Sequence, residues 1–184
     1  MKKEEREKQI VLSALNVFKT HGYNASTTAS IAKEAGISEV TLFRYFSSKQ
    51  QIFIKSVRYV FEKIVKKNIK IDPNLTKKEQ FEFVLFKKIN TITENKDLIT
   101  LLLNESSLIS EFQDKSFLEI IIDNFESMFN MFSFNKKEQE LIIRIIMGSI
   151  LSFLYLPETD YIKQKEYVKT ISNMIFNSIN LGEI

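Results

Sequence analysis

Residues 27–49 of this 184-residue chain hold the side chains best suited to gripping and reading a polyanion. Thr27, Thr28, Tyr45 and Lys49 carry hydroxyl and ammonium donors, which bond phosphate oxygens and fix register without reading sequence. Arg44 presents a planar fork that can take both acceptors of a guanine edge, and Thr41 and Phe43 can meet a thymine methyl.

Two short helices must position these groups. Thr27 can cap the first, because a hydroxyl there accepts from an otherwise unpaired backbone N–H. Ile31, Ala32 and Ala35 recur at helical spacing on one face. Gly36 follows where a helix commonly ends left-handed, a conformation free of steric cost only for glycine. Ile37 plugs the corner, and Ser38 is a good cap for the second helix, expected over Ser38–Phe46. Leu42 and Phe46, four residues apart, point into a small core, while Val40 or Thr41 alternate between packing inward and facing out. Glu39, Thr41, Phe43, Arg44 and Tyr45 then lie near the exposed side. A plainer reading is a solvated helix pair with a capping serine and a surface arginine. The full spacing and the upstream helix favour a helix-turn-helix that binds DNA.

These residues resemble the tetracycline-repressor (TetR) family of bacterial transcription regulators. The resemblance covers about residues 8–56: Ile10, Ala14, Leu15 and Phe18, then Gly22-Tyr23, Thr27-Thr28, Ile31-Ala32, Ala35 to Ser38, Thr41 to Phe46, and Lys49. It implies that Thr27 and Thr28 start a helix abutting phosphates, and that Ser38 opens the reading helix. It also implies that Glu39, Val40, Thr41, Phe43, Arg44 and Tyr45 face DNA and that Lys49 holds a phosphate. Three residues depart from the family pattern. Val40 stands where a small residue is common, and Phe43 replaces a common tyrosine. Glu39 sets an acid before a polyanion; it either accepts from a cytosine amino group or swings away, and the second is favoured. The departures bear on the operator sequence more than on the class.

The remainder must be helical too. Two prolines and four glycines in the whole chain favour a nearly all-α build, since both residues punctuate structure. Lys49 to Phe53 opens a long helix expected to reach about Ile69, with Asp72-Pro73-Asn74 as its stop. Further helices are expected at 76–94, 97–109, 111–132, 136–156 and 161–180. Breaks are expected at Asn95-Lys96, Ser110, Ser133–Asn135 and Pro157-Glu158. Each apolar stripe needs a partner, so these helices should form a bundle. The expected organisation is a helix-turn-helix domain over 1–48, joined by the long helix to an effector-binding and dimerisation domain over 49–184.

Charge divides the same way. Residues 1–70 hold 14 Lys+Arg against 6 Asp+Glu, and residues 71–184 hold 12 against 17. A basic head on an acidic body suits a protein whose first third meets nucleic acid, though unevenness in a lysine-rich chain accounts for some of it. With no cysteine and one histidine, the usual nucleophile–base pairs and His/Cys metal sites are missing, so neither an enzyme nor a metal or cofactor is expected. His21 precedes Gly22 at a helix end, where a donor suits the last carbonyls. The charged start of the chain has no apolar stretch behind it, and Leu141–Leu156 is interrupted by Arg144. Hence no signal peptide or membrane span is expected, and the cytoplasm is the expected location.

Eleven of the sixteen phenylalanines follow residue 71. Position by position they read as core, but the resemblance implies an effector pocket in the second domain. Its expected lining is Phe61, Phe86, Leu103, Phe112, Phe125, Phe129 and Met147, for an apolar or weakly polar small molecule. Leu141, Ile145, Gly148, Ser149 and Ser152 form one stripe and Ile171, Met174, Ile175 and Ser178 a companion. The resemblance implies a homodimer interface of two helices from each subunit here; packing within one chain is the other reading. The implied whole is a dimeric, sequence-specific DNA-binding regulator, most often a repressor released by its ligand. The alternative is a fold-retaining interaction or small-molecule-binding module.

Overall fold

The computed structural model describes residues 3–65, 69–113, 115–129, 131, 132, 134–156 and 160–180, with the backbone alone at 64, 65, 111–113, 127, 179 and 180. These residues form ten α-helices and no strand: α1 Lys3–Ala25, α2 Thr28–Glu34, α3 Glu39–Phe43, α4 Lys49–Val60, α5 Lys77–Glu94, α6 Lys96–Asn104, α7 Ser106–Gln113, α8 Phe117–Phe129, α9 Lys136–Tyr155 and α10 Tyr161–Asn180. Two compact units divide them, Met1–Ile64 with Asp97–Leu118, and Val65–Lys96 with Glu119–Ile184. By packing, therefore, α4 groups with the head, whereas the sequence division falls after Ser48.

In the first unit α1 packs on α4 and α2, and α2 on α3. Its core collects the expected stripes: Ile10, Ala14 and Phe18 of α1, Ile31 of α2, Leu42 of α3, and Ile52 and Val57 of α4 are all buried. Each such large apolar side chain contributes roughly 1.5–3 kcal/mol on leaving water. Phe18 meets Phe53 edge-on with centroids 5.3 Å apart, and Tyr23 closes the group at 4.9 Å from Phe53. Gly22, at φ 74°, interrupts the helical winding of α1 just before Tyr23.

In the second unit α5 packs against α10 and α9. Phe81, fully buried, is ringed by Phe132, Phe134 and Phe176 at centroid distances of 5.3, 5.8 and 5.5 Å. Capping boxes start its helices: Thr76 with Glu79 opens α5, and Asn135 with Glu138 opens α9. The Thr76 hydroxyl and N–H donate to the Glu79 carboxylate and hold its pKa below the usual value.

Four boundaries differ from the sequence expectation. The reading helix stops at Phe43 rather than Phe46, because Arg44 and Tyr45 tighten into i→i+3 bonds to Thr41 and Leu42. The long helix is α-helical only to Val60 and winds as a π-helix over Phe61–Val65, while Ile69 and Lys70 are not helical. The segment 97–109 is broken at Glu105. Ser110 does not break its helix: its hydroxyl donates back to Ser107 O at 2.7 Å, so α7 runs on to Gln113. The break comes later, and α8 begins at Phe117, whose N–H donates to the Ser106 hydroxyl at 3.2 Å. Pro157-Glu158 lies outside the described residues.

Candidate nucleic-acid interface

The α2–α3 corner is built from local bonds that the sequence specifies. Thr27 Oγ1 accepts from Ser30 N at 3.0 Å and Ser30 Oγ accepts from Thr27 N at 3.1 Å, a reciprocal cap on α2. At the other end Gly36 N donates to Lys33 O at 3.1 Å and Ile37 N to Ala32 O at 3.0 Å. That pair of bonds is a Schellman motif, and it requires Gly36 at φ 65°. Ser38 Oγ accepts from Thr41 N at 3.1 Å and caps α3. From α1, Gln9 Nε2 donates to Ala35 O at 3.2 Å and fastens the corner to the head.

With Leu42 and Phe46 buried inside, the outer face of α3 is fixed. Val40 is 70% exposed and Phe43 48%, and Thr27, Ser38, Glu39 and Arg44 are exposed as well. Thr28, Thr41, Tyr45 and Lys49 are half-buried. Of the two candidates for the inward position, Val40 is the more exposed and Thr41 the more covered.

Hydrogen bonds sort these groups further. Thr28 donates its hydroxyl to the Glu39 carboxylate, which draws that acid toward the start of α2. A carboxylate in the first turn of α3 also suits the positive end of the helix dipole. Thr41 Oγ1 lies 2.9 Å from Ser38 Oγ. Arg44 caps the C-terminus of α3 with its backbone, and its side chain is exposed beyond the helix.

Lys49, for which the resemblance implies a phosphate contact, makes its bonds within the chain. Its Nζ donates to Tyr23 O and Ser26 O at 2.9 Å each and to Asn24 O at 3.4 Å, and sits 4.3 Å from the Tyr23 ring centroid. An ammonium has three donors, so all are taken by carbonyls at the end of α1 and just beyond it. The partners are 23 to 26 residues upstream, and no local pattern in the sequence announces them.

In the second unit, Phe125 and Phe129 are core residues, Met147 is half-buried, and Phe86 is buried with its ring edge-on to Tyr161 at 5.1 Å. Phe86 also lines a groove of about 510 Å³ with Phe83, Lys78, Lys165, Lys169 and Asn173. Phe61 and Leu103 are half-buried in the first unit, and the side chain of Phe112 lies outside the described residues. Lys88, which no sequence motif marks, is set against the core of the second unit. Burial lowers its pKa to about 8, and its ammonium donates to Asn124 Oδ1 and lies 5.2 Å from the Phe125 ring centroid. The available signal was its place four residues from both Val84 and Ile92, on the apolar stripe of α5.

The two stripes of α9 and α10 split by direction. Leu141 is 58% exposed and Met174 59%, with Gly148 and Ser178 also exposed and Ile145, Ser152 and Ile171 half-buried. Ser149 and Ile175 are instead buried, and Ser149 Oγ lies 3.1 Å from Tyr167 Oη. A Cβ placed on Gly148 would meet nothing within 4 Å. Among the described residues no group of three or more His, Cys, Asp or Glu is placed to hold a metal ion, and no helix is long and apolar enough to cross a membrane.

Residues 10–55 match the model of the bacterial regulatory proteins of the tetR family. The uncharacterized HTH-type transcriptional regulator YuxN of Bacillus subtilis is 34% identical over 110 residues, 57% of this chain and 36% of its own. The fatty acid metabolism regulator protein of the same organism is 30% identical over 99 residues, 52% of this chain and 51% of its own. The chain thus spans only 36% to 51% of the length of these curated relatives. A tetR-family transcriptional regulator from Streptomyces coelicolor superposes with a TM-score of 0.72 at 14% identity, over 95% of this chain and 80% of that one. The fatty acid degradation regulator FadR from Bacillus halodurans does so at 0.66 and 16%, over 95% and 96%. At these identities the structural likeness is one of fold.

Proposed function

The chain belongs, through its residues 10–55, to the tetR family of bacterial regulatory proteins, and from that premise we propose that it is a sequence-specific DNA-binding transcriptional regulator acting in the cytoplasm. The observation that carries the reading is the capped α2–α3 corner, which turns Val40, Phe43 and Arg44 outward within the basic first 70 residues. In the proposed complex α3 enters the major groove and Arg44 reads a base edge. Thr27, Thr28, Ser38, Thr41 and Tyr45 lie along the backbone, and Glu39 stays with Thr28. The activity is binding, with no chemical turnover.

A homodimer completes the proposal, through the outward faces of α9 and α10, so that two heads meet half-sites one helical turn, about 34 Å, apart. The regulator is a repressor that a small apolar or weakly polar ligand releases from its operator, by binding in the C-terminal bundle. Two of the similar proteins are named for fatty acid metabolism or degradation, so an acyl chain is the first ligand class to test. Ligand and operator affinities are then coupled by about 1–3 kcal/mol.

A gel-shift assay with DNA flanking the protein's own gene tests the reading. One fragment should bind better than random DNA at moderate salt, and Arg44→Ala should relax preference at one position by about 1–3 kcal/mol. Equal affinity for all fragments would remove the mechanism.

A further inference from the structure

We propose that Val40 and Phe43 make α3 a reader of thymine methyl groups, a specificity that rests on the DNA-binding reading and goes beyond it. The polar side chains of α3 and its cap are already engaged within the chain. Glu39 accepts from Thr28, and Ser38 and Thr41 share a 2.9 Å contact while Ser38 also caps the helix. Leu42 is buried. Besides Glu39, which Thr28 holds, what α3 turns outward is apolar: Val40 at 70% exposure and Phe43 at 48%, three residues apart and so on one flank.

The floor of the major groove is polar except for one group, the C5-methyl of thymine. An apolar pair pressed against hydrogen-bonding edges loses water from those edges and returns nothing, which disfavours G·C pairs at that place. Against a methyl the same pair gains, since each buried methyl is worth about fourfold in affinity. A protein partner with an apolar surface is the competing occupant. The basic balance of residues 1–70, 14 Lys+Arg against 6 Asp+Glu, favours the duplex.

The test begins with an operator selected by the intact protein from random-sequence duplexes, in which thymines are then replaced by deoxyuridine one at a time. At one or more positions in each half-site the loss of the methyl should weaken binding about fourfold, and about fifteenfold when both half-sites are changed. The Val40→Ala/Phe43→Ala variant should bind thymine and uracil duplexes equally; both side chains are exposed, so the head keeps its fold. If the intact protein prefers its operator to random DNA yet ignores the uracil replacements, the methyl reading is overturned and the regulator reading stands. Discrimination that persists in the double variant also overturns it, by assigning the methyl to another residue. If no duplex is enriched over random DNA, both readings fall together, and the apolar pair passes to a protein partner.

Discussion

A lysine beside a helix-turn-helix reads naturally as a phosphate ligand, yet the Lys49 ammonium is spent on Tyr23, Asn24 and Ser26 carbonyls. The Tyr23 and Asn24 carbonyls lie in the last turn of α1, where a cation is favoured by unpaired acceptors and by the helix dipole, and Ser26 follows it. Lys49 opens α4, so it ties that helix to the turn that precedes Thr27. Lys49→Ala should therefore destabilise the protein by about 1–2 kcal/mol, through lost charged hydrogen bonds and the Tyr23 ring contact. Its plot of log affinity against log salt should keep the original slope. A phosphate-bound lysine would instead lower that slope by about one, which returns Lys49 to the backbone contacts. Glu39 shows the same logic in reverse. The sequence leaves two fates open to it, and a bond from Thr28, eleven residues earlier, favours the one that swings away.

At the level of the helix, the five-residue α3 is short because Arg44 and Tyr45 tighten out of the α-winding, so Arg44 projects from its end. On α9 and α10 the residues grouped by sequence as one surface serve two directions. Ser149, against Tyr167, and Ile175 bury themselves within the chain, while Leu141, Gly148 and Met174 face outward. Gly148 separates the two readings of this stripe. Packing within the chain does not require it, since an added Cβ meets nothing. Gly148→Leu should keep or raise helix stability, with up to about 1 kcal/mol from propensity alone. Under the proposed dimer it should also shift the protein toward monomer in sedimentation equilibrium, and an unchanged oligomeric state would place the interface elsewhere.

Across the whole molecule, the half-buried Lys88 of the second unit makes stability depend on pH in a known direction. Burial lowers Lys88 from 10.5 to about 8, so between those values the unfolded chain holds a proton that the folded protein has lost. Stability from this group therefore rises with pH across that window. The gain is on the order of 1 kcal/mol once solvent screening of the half-buried amine is allowed for. In urea titrations Lys88→Met should outlast the parent below about pH 8, and the parent should close the gap toward pH 10.5. A constant difference between the two proteins would show that Lys88 keeps its ordinary pKa. The sequence alone determined the all-α build, the capped corner at Thr27, Gly36 and Ser38, and the inward pair Leu42 and Phe46, because caps, turns and apolar stripes are set by neighbours a few residues away. Only the tertiary structure decided that Lys49 faces α1, that Val40 stands out further than Thr41, and that Lys88 lies over Phe125. Whether a donor is free or a side chain covered depends on partners 11 to 36 residues distant, a separation over which helical periodicity carries no information.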